Sequence, residues 1–339
     1  MSKRNLTRRQ TWRAEKIQAE RLARSQKKVG KIQQSLGAGE LGPEQQGRVI
    51  TRFGSSVDVE DADGVIHRCL LRQNLPSLVC GDRVVWQAGP EHTGVVVALM
   101  PRQTLLARPD AHNQPKPVAA NISQILIVAA PLPALDLDLV NRYLVAAELT
   151  DIPPALIVNK VDLLDDKAFA KLRQRLAVYS RIGYPVLYAS TKRAEGLDEL
   201  RSQLKDRTSI FVGQSGVGKS SLIQALLPHH DLRIGALSEG SGLGRHTTTA
   251  TVLYHFPEGG DLIDSPGVRD FGLGRVTAAQ VAEGFAEFRP FLGRCRFNDC
   301  RHTVEPGCAL QAAVEHGDID PARFDSFLRI AAGIEMPLR

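Results

Sequence analysis

The sequence predicts a doubly wound α/β fold, preceded by a small β-barrel and followed by a mostly helical, metal-binding module. Three observations predict it. From residue 121 onward, apolar strand-like runs (122–130, 155–159, 185–189, 209–212, 251–256, 261–263) alternate with helical stretches such as 138–149, 167–180 and 197–205. That alternation is the pattern of a parallel sheet with helical crossovers. Ahead of it, five short β-rich segments (48–52, 56–60, 65–71, 82–87, 94–99) are separated by turn signals at Asp63-Gly64, Cys80-Gly81-Asp82 and Gly89-Pro90, which suits an OB-fold. Behind it, three cysteines and a histidine crowd between residues 295 and 308.

The elements follow in order. Residues 1–45 form a basic arm, broken by Gly37-Ala38-Gly39 and Gly42-Pro43. Lys3, Arg4, Arg8, Arg9, Arg13, Lys16, Arg21, Arg24, Lys27, Lys28 and Lys31 stand against Glu15 and Glu20, so residues 1–31 carry +9. The whole chain carries +6, which leaves −3 for the remainder. Such an arm suits a polyanion, most simply nucleic acid. Trp12 is its lone aromatic residue, which favours phosphate contact over base readout. A solvated tail without a partner would have the same composition.

The barrel is assigned to residues 46–105. Barrels of this type bind single-stranded or structured RNA, and a scaffold without a ligand would share the pattern. Residues 106–120, rich in Pro and Ala, look like a linker opening the sheet domain, assigned to 106–275. The remainder, 276–339, is the metal-binding module. The 339 residues, 43% of them hydrophobic, suffice for two or three domains. No apolar run spans a bilayer and the N-terminus lacks a secretory h-region. A soluble, cytoplasmic monomer with no membrane partner is therefore expected.

Residues 213–220, Gly213-Gln214-Ser215-Gly216-Val217-Gly218-Lys219-Ser220, match the full phosphate-loop pattern between a strand and a helix. Glycines let successive backbone N–H groups face a phosphate. Lys219 is expected to reach the β- and γ-phosphates, and the Ser220 hydroxyl to take Mg²⁺. Ser221 begins the helix and is counted with the nucleotide-binding residues.

Asn159-Lys160-Val161-Asp162 ends a strand. Guanine offers N1–H and an exocyclic amine, and a carboxylate that accepts both rejects adenine. Asp162 takes that role; Asn159 supports the base or ties loops together, and the Lys160 stem packs on the purine. Ala189-Ser190-Thr191-Lys192 is a candidate second base loop, with Ser190 and Thr191 approaching O6 through backbone N–H; a plain strand-to-loop turn would read the same.

Asp264-Ser265-Pro266-Gly267 fits the Asp-x-x-Gly switch, with Asp264 towards Mg²⁺ and Gly267 N–H towards the γ-phosphate. Ras-like enzymes place a water-orienting glutamine next; here Val268 stands there. A substitute lies in residues 242–249, Gly-Leu-Gly-Arg-His-Thr-Thr-Thr. His246 is the candidate for positioning water, or a loop histidine without that part. Thr248 is favoured over Thr249 as the Mg²⁺ ligand.

Together these segments predict an α/β phosphate-loop GTPase domain with circularly permuted motif order. The base reader at 159–162 precedes the phosphate loop, whereas ordinary Ras-like enzymes have the reverse. Cys295, Cys300, His302 and Cys308, spaced C-x4-C-x-H-x5-C, suit one structural Zn²⁺ with no open position. Cys69 and Cys80 are expected to be ordinary small core residues.

In motif order, in the Gly-Arg-His-Thr-Thr-Thr loop, in the leading barrel and in the trailing Cys/His cluster, the chain resembles the ribosome small subunit-dependent GTPase A family. The resemblance spans nearly the whole chain. It implies an OB-fold, a permuted GTPase domain and a zinc domain. It also implies GTP hydrolysis stimulated by the 30S subunit, contact with 16S rRNA, a late role in subunit maturation, and His246 as the switch I histidine. An RNA-binding assembly factor in which GTP is mainly a structural ligand is the alternative, to which Val268 lends weight. Because residues 268–272 join the switch directly to the C-terminal module, the nucleotide state is expected to set the attitude of that module.

Overall fold

The computed structural model describes residues 41–335 apart from 74, 110–113, 133, 193–195, 228–250, 266–272 and 275. Residues 1–40 of the basic arm, His246, Thr248, Thr249, Gly267 and Val268 lie outside the described residues. Two compact units result, one reaching Leu78 and including Asp82–Pro101, the other comprising Val79–Gly81 and the residues from Arg102 onward.

The first unit is a closed barrel of β1 (Glu44–Phe53), β2 (Ser56–Glu60), β3 (Ile66–Leu71), β4 (Arg83–Ala88) and β5 (Thr93–Leu99). Its strands run in the order β1-β2-β3-β5-β4, and β4 returns to β1. β3 and β5 are parallel and the other pairs antiparallel. Closure leaves no free edge, as in an OB-fold. The interior holds Val49, Val57, Val59, Cys69, Val84, Trp86 and Val96. Gly47 makes room for the indole: a Cβ there would lie 2.6 Å from Trp86 Nε1. β1 begins earlier than the sequence predicts, because Glu44, Gln45 and Gln46 pair with β4 although such residues carry little strand propensity. Cys69 is buried in this core as expected, and burial pushes its thiol up to about 12.

The second unit opens with a difference from expectation. Within the presumed linker, β6 (Leu105–Pro109) and β7 (Pro115–Ala120) form an antiparallel hairpin. Its prolines pair as Pro109 with Pro115 and Ala107 with Pro117. Prolines are tolerated on a two-stranded edge but mask its strand signal in the sequence.

The sheet then builds through β8 (Gln124–Ala129), α1 (Leu137–Glu148), β9 (Pro154–Val158), α2 (Asp166–Ile182), β10 (Val186–Tyr188), α3 (Leu197–Leu204), β11 (Thr208–Val212), α4 (Lys219–Leu226), β12 (Val252–His255) and β13 (Asp261–Asp264). In this unit the order is β10-β9-β8-β11-β13-β12. All neighbours are parallel except β12, which runs antiparallel to β13. A turn closed by Phe256 N–H on Gly260 O joins those two strands, and so short a connection permits only antiparallel pairing. β8 is buried at all six positions, which its Gln-Ile-Leu-Ile-Val-Ala run dictates. The chain moves from β8 to one side for β9 and β10, then to the other for β11. The switch point therefore falls between β8 and β11, where such sheets bind ligands.

The C-terminal helices are α5 (Ala278–Glu283), α6 (Ala309–His316) and α7 (Pro321–Glu335), with a 3₁₀ turn at Ala286–Phe291. Thr277 and Gln280 form a capping box that starts α5. Phe285, Phe288, Phe324 and Phe327 fill a core that also takes in Val145 of α1. At this seam Gly284 sits so close to α1 that a Cβ would lie 2.5 Å from Val145 Cγ1. The C-terminal helices are thus packed along α1. No described helix is long and apolar enough to cross a membrane.

Candidate functional site

The phosphate loop leaves the carboxyl end of β11 and opens α4 at Lys219. Gly213, Gly216 and Gly218 have φ of 137°, 85° and 95°, a region costly for any residue with a Cβ. Two of them are also crowded. A Cβ on Gly213 would lie 2.2 Å from Val128 O in β8, and one on Gly218 would lie 2.4 Å from Asn159 Nδ2. Gln214, Ser215, Ser220 and Ser221 are exposed, while Val217 is buried and anchors the loop. Lys219 Nζ lies across the loop, donating to Gly213 O at 2.5 Å and Gln214 O at 2.7 Å. Loop amides, a lysine and a helix N-terminus converge here, an arrangement suited to phosphate.

The segment expected to read the base, residues 159–162, leaves β9 next door. Asn159 is 1% exposed; its Nδ2 donates to Val217 O at 2.9 Å. Lys160 Nζ donates to Gly216 O at 2.5 Å and to Leu132 O at 3.2 Å. Lys160 itself has φ of 61° and precedes a 3₁₀ turn at Val161–Leu163. Two consecutive side chains therefore tie this loop to the phosphate loop, although 56 and 58 residues separate the partners. Asn159 Oδ1 is buried without a hydrogen-bond partner among the described residues, an acceptor available to a ligand or bound water.

Asp162 faces the loop after β10. Ser190 Oγ donates to its Oδ1 at 2.7 Å, and Lys192 Nζ lies 3.4 Å from its Oδ2. The Ser190 hydrogen bond, helped by Lys192, holds the Asp162 carboxyl below the usual value despite partial burial. The sequence suggested only backbone roles for Ser190 and Thr191. In the structure the Ser190 side chain orients the carboxylate, and Lys192 enters the site beside it; a lysine closing the Ala-Ser-Thr-Lys run was the available signal. Thr191 is exposed on the same loop.

Asp264 ends β13, one residue past the Ile210–Ile263 pairing with β11. It therefore sits at the same edge of the sheet as the phosphate loop. Ser265 is buried and exchanges a 2.8 Å hydrogen bond with Thr251, fixing the start of the switch segment.

The ligand atoms of Cys295, Cys300, His302 and Cys308 all lie within 4.8 Å of one another. His302 Nδ1 is 3.6 Å from the Cys295 and Cys300 sulfurs and 3.3 Å from Cys308 Sγ. Burial pushes the Cys300 thiol up to about 12, with the Cys295 and Cys308 sulfurs adding to the shift, and burial lowers His302. Three sulfurs and one imidazole nitrogen converging this closely are the donor set of a tetrahedral structural dication. Ala309 N–H donates to Cys295 Sγ at 3.3 Å, a second contact that orients the sulfur.

Residues 99–274 match the family model for RsgA GTPase. A protein of Azotobacter vinelandii named "Small ribosomal subunit biogenesis GTPase RsgA" is 54% identical, over 99% of both chains. One of Chromohalobacter salexigens with the same name is 57% identical over 98% of this chain and 99% of its own. The chain belongs to the RsgA GTPase family. Among solved structures, YjeQ from Thermotoga maritima superposes with a TM-score of 0.71 at 30% identity, covering 88% of this chain and all of that one. YloQ, described as a circularly permuted GTPase, gives 0.69 at 27% identity, over 88% and 98%. The RsgA GTPase fold here is accordingly a permuted one: its base-reading loop is made before its phosphate loop.

Proposed function

We propose that this RsgA GTPase binds GTP across the β8–β11 switch point and hydrolyses it to GDP and phosphate while docked on the small ribosomal subunit, in late maturation of that particle. The observation that carries the reading is the pair of bonds from Asn159 and Lys160 to Val217 O and Gly216 O, which ties the two loops side by side at the carboxyl end of the sheet. The Asp162 carboxylate accepts guanine N1–H and the exocyclic amine. Residues 213–221 wrap the phosphates, and Lys219 moves from the loop carbonyls to the β- and γ-oxygens. Ser220 and Thr248, with Asp264, are the residues to hold Mg²⁺, which neutralises phosphate charge when bound.

Water attacks the γ-phosphorus and the β–γ bridging oxygen departs with the bonding electron pair. With Val268 unable to orient that water, His246 is assigned to it, and Gly267 N–H to the γ-phosphate. Zn²⁺ is the ion proposed for Cys295, Cys300, His302 and Cys308, and 16S rRNA the docking partner, with the protein acting as a cytoplasmic monomer. Phosphate release measured with added 30S and, separately, 50S subunits tests the reading: strong stimulation by 30S alone is expected, and equal stimulation by both would reject it. A His246→Ala variant is expected to keep GTP binding and lose most of the stimulated rate. Val268 favours a second reading, an RNA-binding assembly factor with GTP as a conformational ligand, which 30S binding without any turnover would support.

A further inference from the structure

The metal-binding loop holds two large apolar side chains out to solvent. Phe297 is 43% exposed and Val304 87%. Each stands two residues beyond a ligand, after Cys295 and His302 respectively. Their backbone is pinned. Arg296 N–H donates to Gly307 O at 3.0 Å, Cys300 N–H to Phe297 O at 3.3 Å and Val304 N–H to Glu305 Oε2 at 3.1 Å. Gln311 Nε2 holds Thr303 O at 2.7 Å. The apolar side chains are presented by a braced loop, so their exposure is a fixed feature of the local backbone.

The charges around them are arranged for an anion. Arg294, Arg296 and Arg301 are exposed, and none has a carboxylate partner among the described residues. The Arg296 guanidinium lies 5.5 Å from the Phe297 ring centroid. Glu305, one of the loop's two acids with Asp299, is turned onto the amides of Arg301, Thr303 and Val304. An exposed ring beside unpaired guanidinium groups matches how proteins hold unstacked nucleotides, with base on aromatic face and phosphate on arginine.

We propose that this loop tip docks an unpaired RNA nucleotide, with Phe297 as the stacking platform and Arg294, Arg296 and Arg301 as phosphate contacts. The proposal rests on the small-subunit reading above. It is tested by co-sedimentation of the full chain with isolated 30S subunits and a non-hydrolysable GTP analogue, over a range of salt. Phe297→Leu, which keeps an apolar group but removes the stacking face, is expected to weaken binding about tenfold, with metal content and unfolding midpoint unchanged. Phe297→Trp is expected to bind as wild type and to show quenched indole emission on the subunit. The triple variant R294Q/R296Q/R301Q is expected to flatten the salt dependence.

Wild-type affinity in Phe297→Leu would overturn the inference and leave the functional reading standing. So would a loss in Phe297→Leu with an unaltered salt slope in the triple variant, which would mark a protein contact. Failure of the wild-type chain to sediment with 30S would remove the functional reading, and the inference with it.

Discussion

Arg323 and Asn141 meet inside the protein although 182 residues separate them: the guanidinium NH1 donates to Asn141 Oδ1 at 2.5 Å. Arg323 is 2% exposed. Its other nitrogens bind Glu287 at 2.7 and 3.0 Å, and its plane lies 4.4 Å from the Phe285 ring centroid. Tyr179 Oη donates to the same Asn141 oxygen at 2.8 Å, and Asn141 Nδ2 to Ser326 Oγ at 2.7 Å. α1, α2 and α7 are locked by one satisfied polar network. Removing one partner of such a pair strands the other. Arg323→Met is therefore expected to cost about 3–5 kcal/mol, and R323M/E287M together much less. Urea unfolding of both variants checks this; an unmoved midpoint in the single variant would show that the network contributes nothing.

The acid limb of nucleotide binding should report on Ser190. In the role proposed above Asp162 would bind guanine as a carboxylate, and its folded-state value is depressed, chiefly by the Ser190 hydroxyl. A depressed carboxyl keeps its contribution above the ordinary value of 3.8 and loses it as pH falls through the folded value. Ser190→Ala removes the donor, so the loss should begin at higher pH. Titrating the Asp162 carboxyl by NMR in both proteins measures the displacement, and coincident curves would refute it.

At Gly218, space and backbone conformation act together. Its φ is 95°, and a Cβ would press on Asn159 Nδ2. Gly218→Ala must distort the phosphate loop or expel Asn159 from Val217 O. GTP affinity is expected to fall at least about tenfold, equivalent to roughly 1.4 kcal/mol. Calorimetric titration with GTP measures it, and an alanine variant with unchanged affinity would mean the two loops are less tightly joined than their geometry states.

Removal of the metal should unravel the C-terminal core locally. Cys308 caps α6 and lies in the core with Phe288 and Phe327. One Zn²⁺ per chain is expected by elemental analysis, lost in Cys308→Ser. A strong chelator should lower the thermal midpoint of the wild type but not of that variant. Because burial raises the Cys300 and Cys308 thiols, metal uptake should release protons and weaken as pH falls. Equal midpoints with and without chelator would argue against a structural ion.

Legibility in the sequence followed the range of the interaction. The sheet, the barrel and the placement of the glycine-rich and Asn-Lys-x-Asp loops at strand ends could be read locally, since glycine runs and alternating apolar strands carry their reasons within a few residues. The β6–β7 hairpin was hidden by prolines at 109, 115 and 117. The antiparallel setting of β12 depends on a turn five residues long rather than on its apolar run. Lys192 beside Asp162 and the Arg323–Asn141–Tyr179 network need three-dimensional proximity across 30 to 182 residues, and no periodicity encodes that.

The strand order has a consequence for the birth of the molecule. β8 lies at the middle of the sheet, yet it leaves the ribosome before any of its neighbours, and Ser209, opposite Gln124, follows 85 residues later. β9 can cover one side during synthesis; the other stays an open apolar edge until β11 is translated. A nascent chain built in this sequence carries an adhesive flank through a quarter of its elongation, so slowed translation between residues 160 and 209 should expose the newborn protein to chaperones and to aggregation.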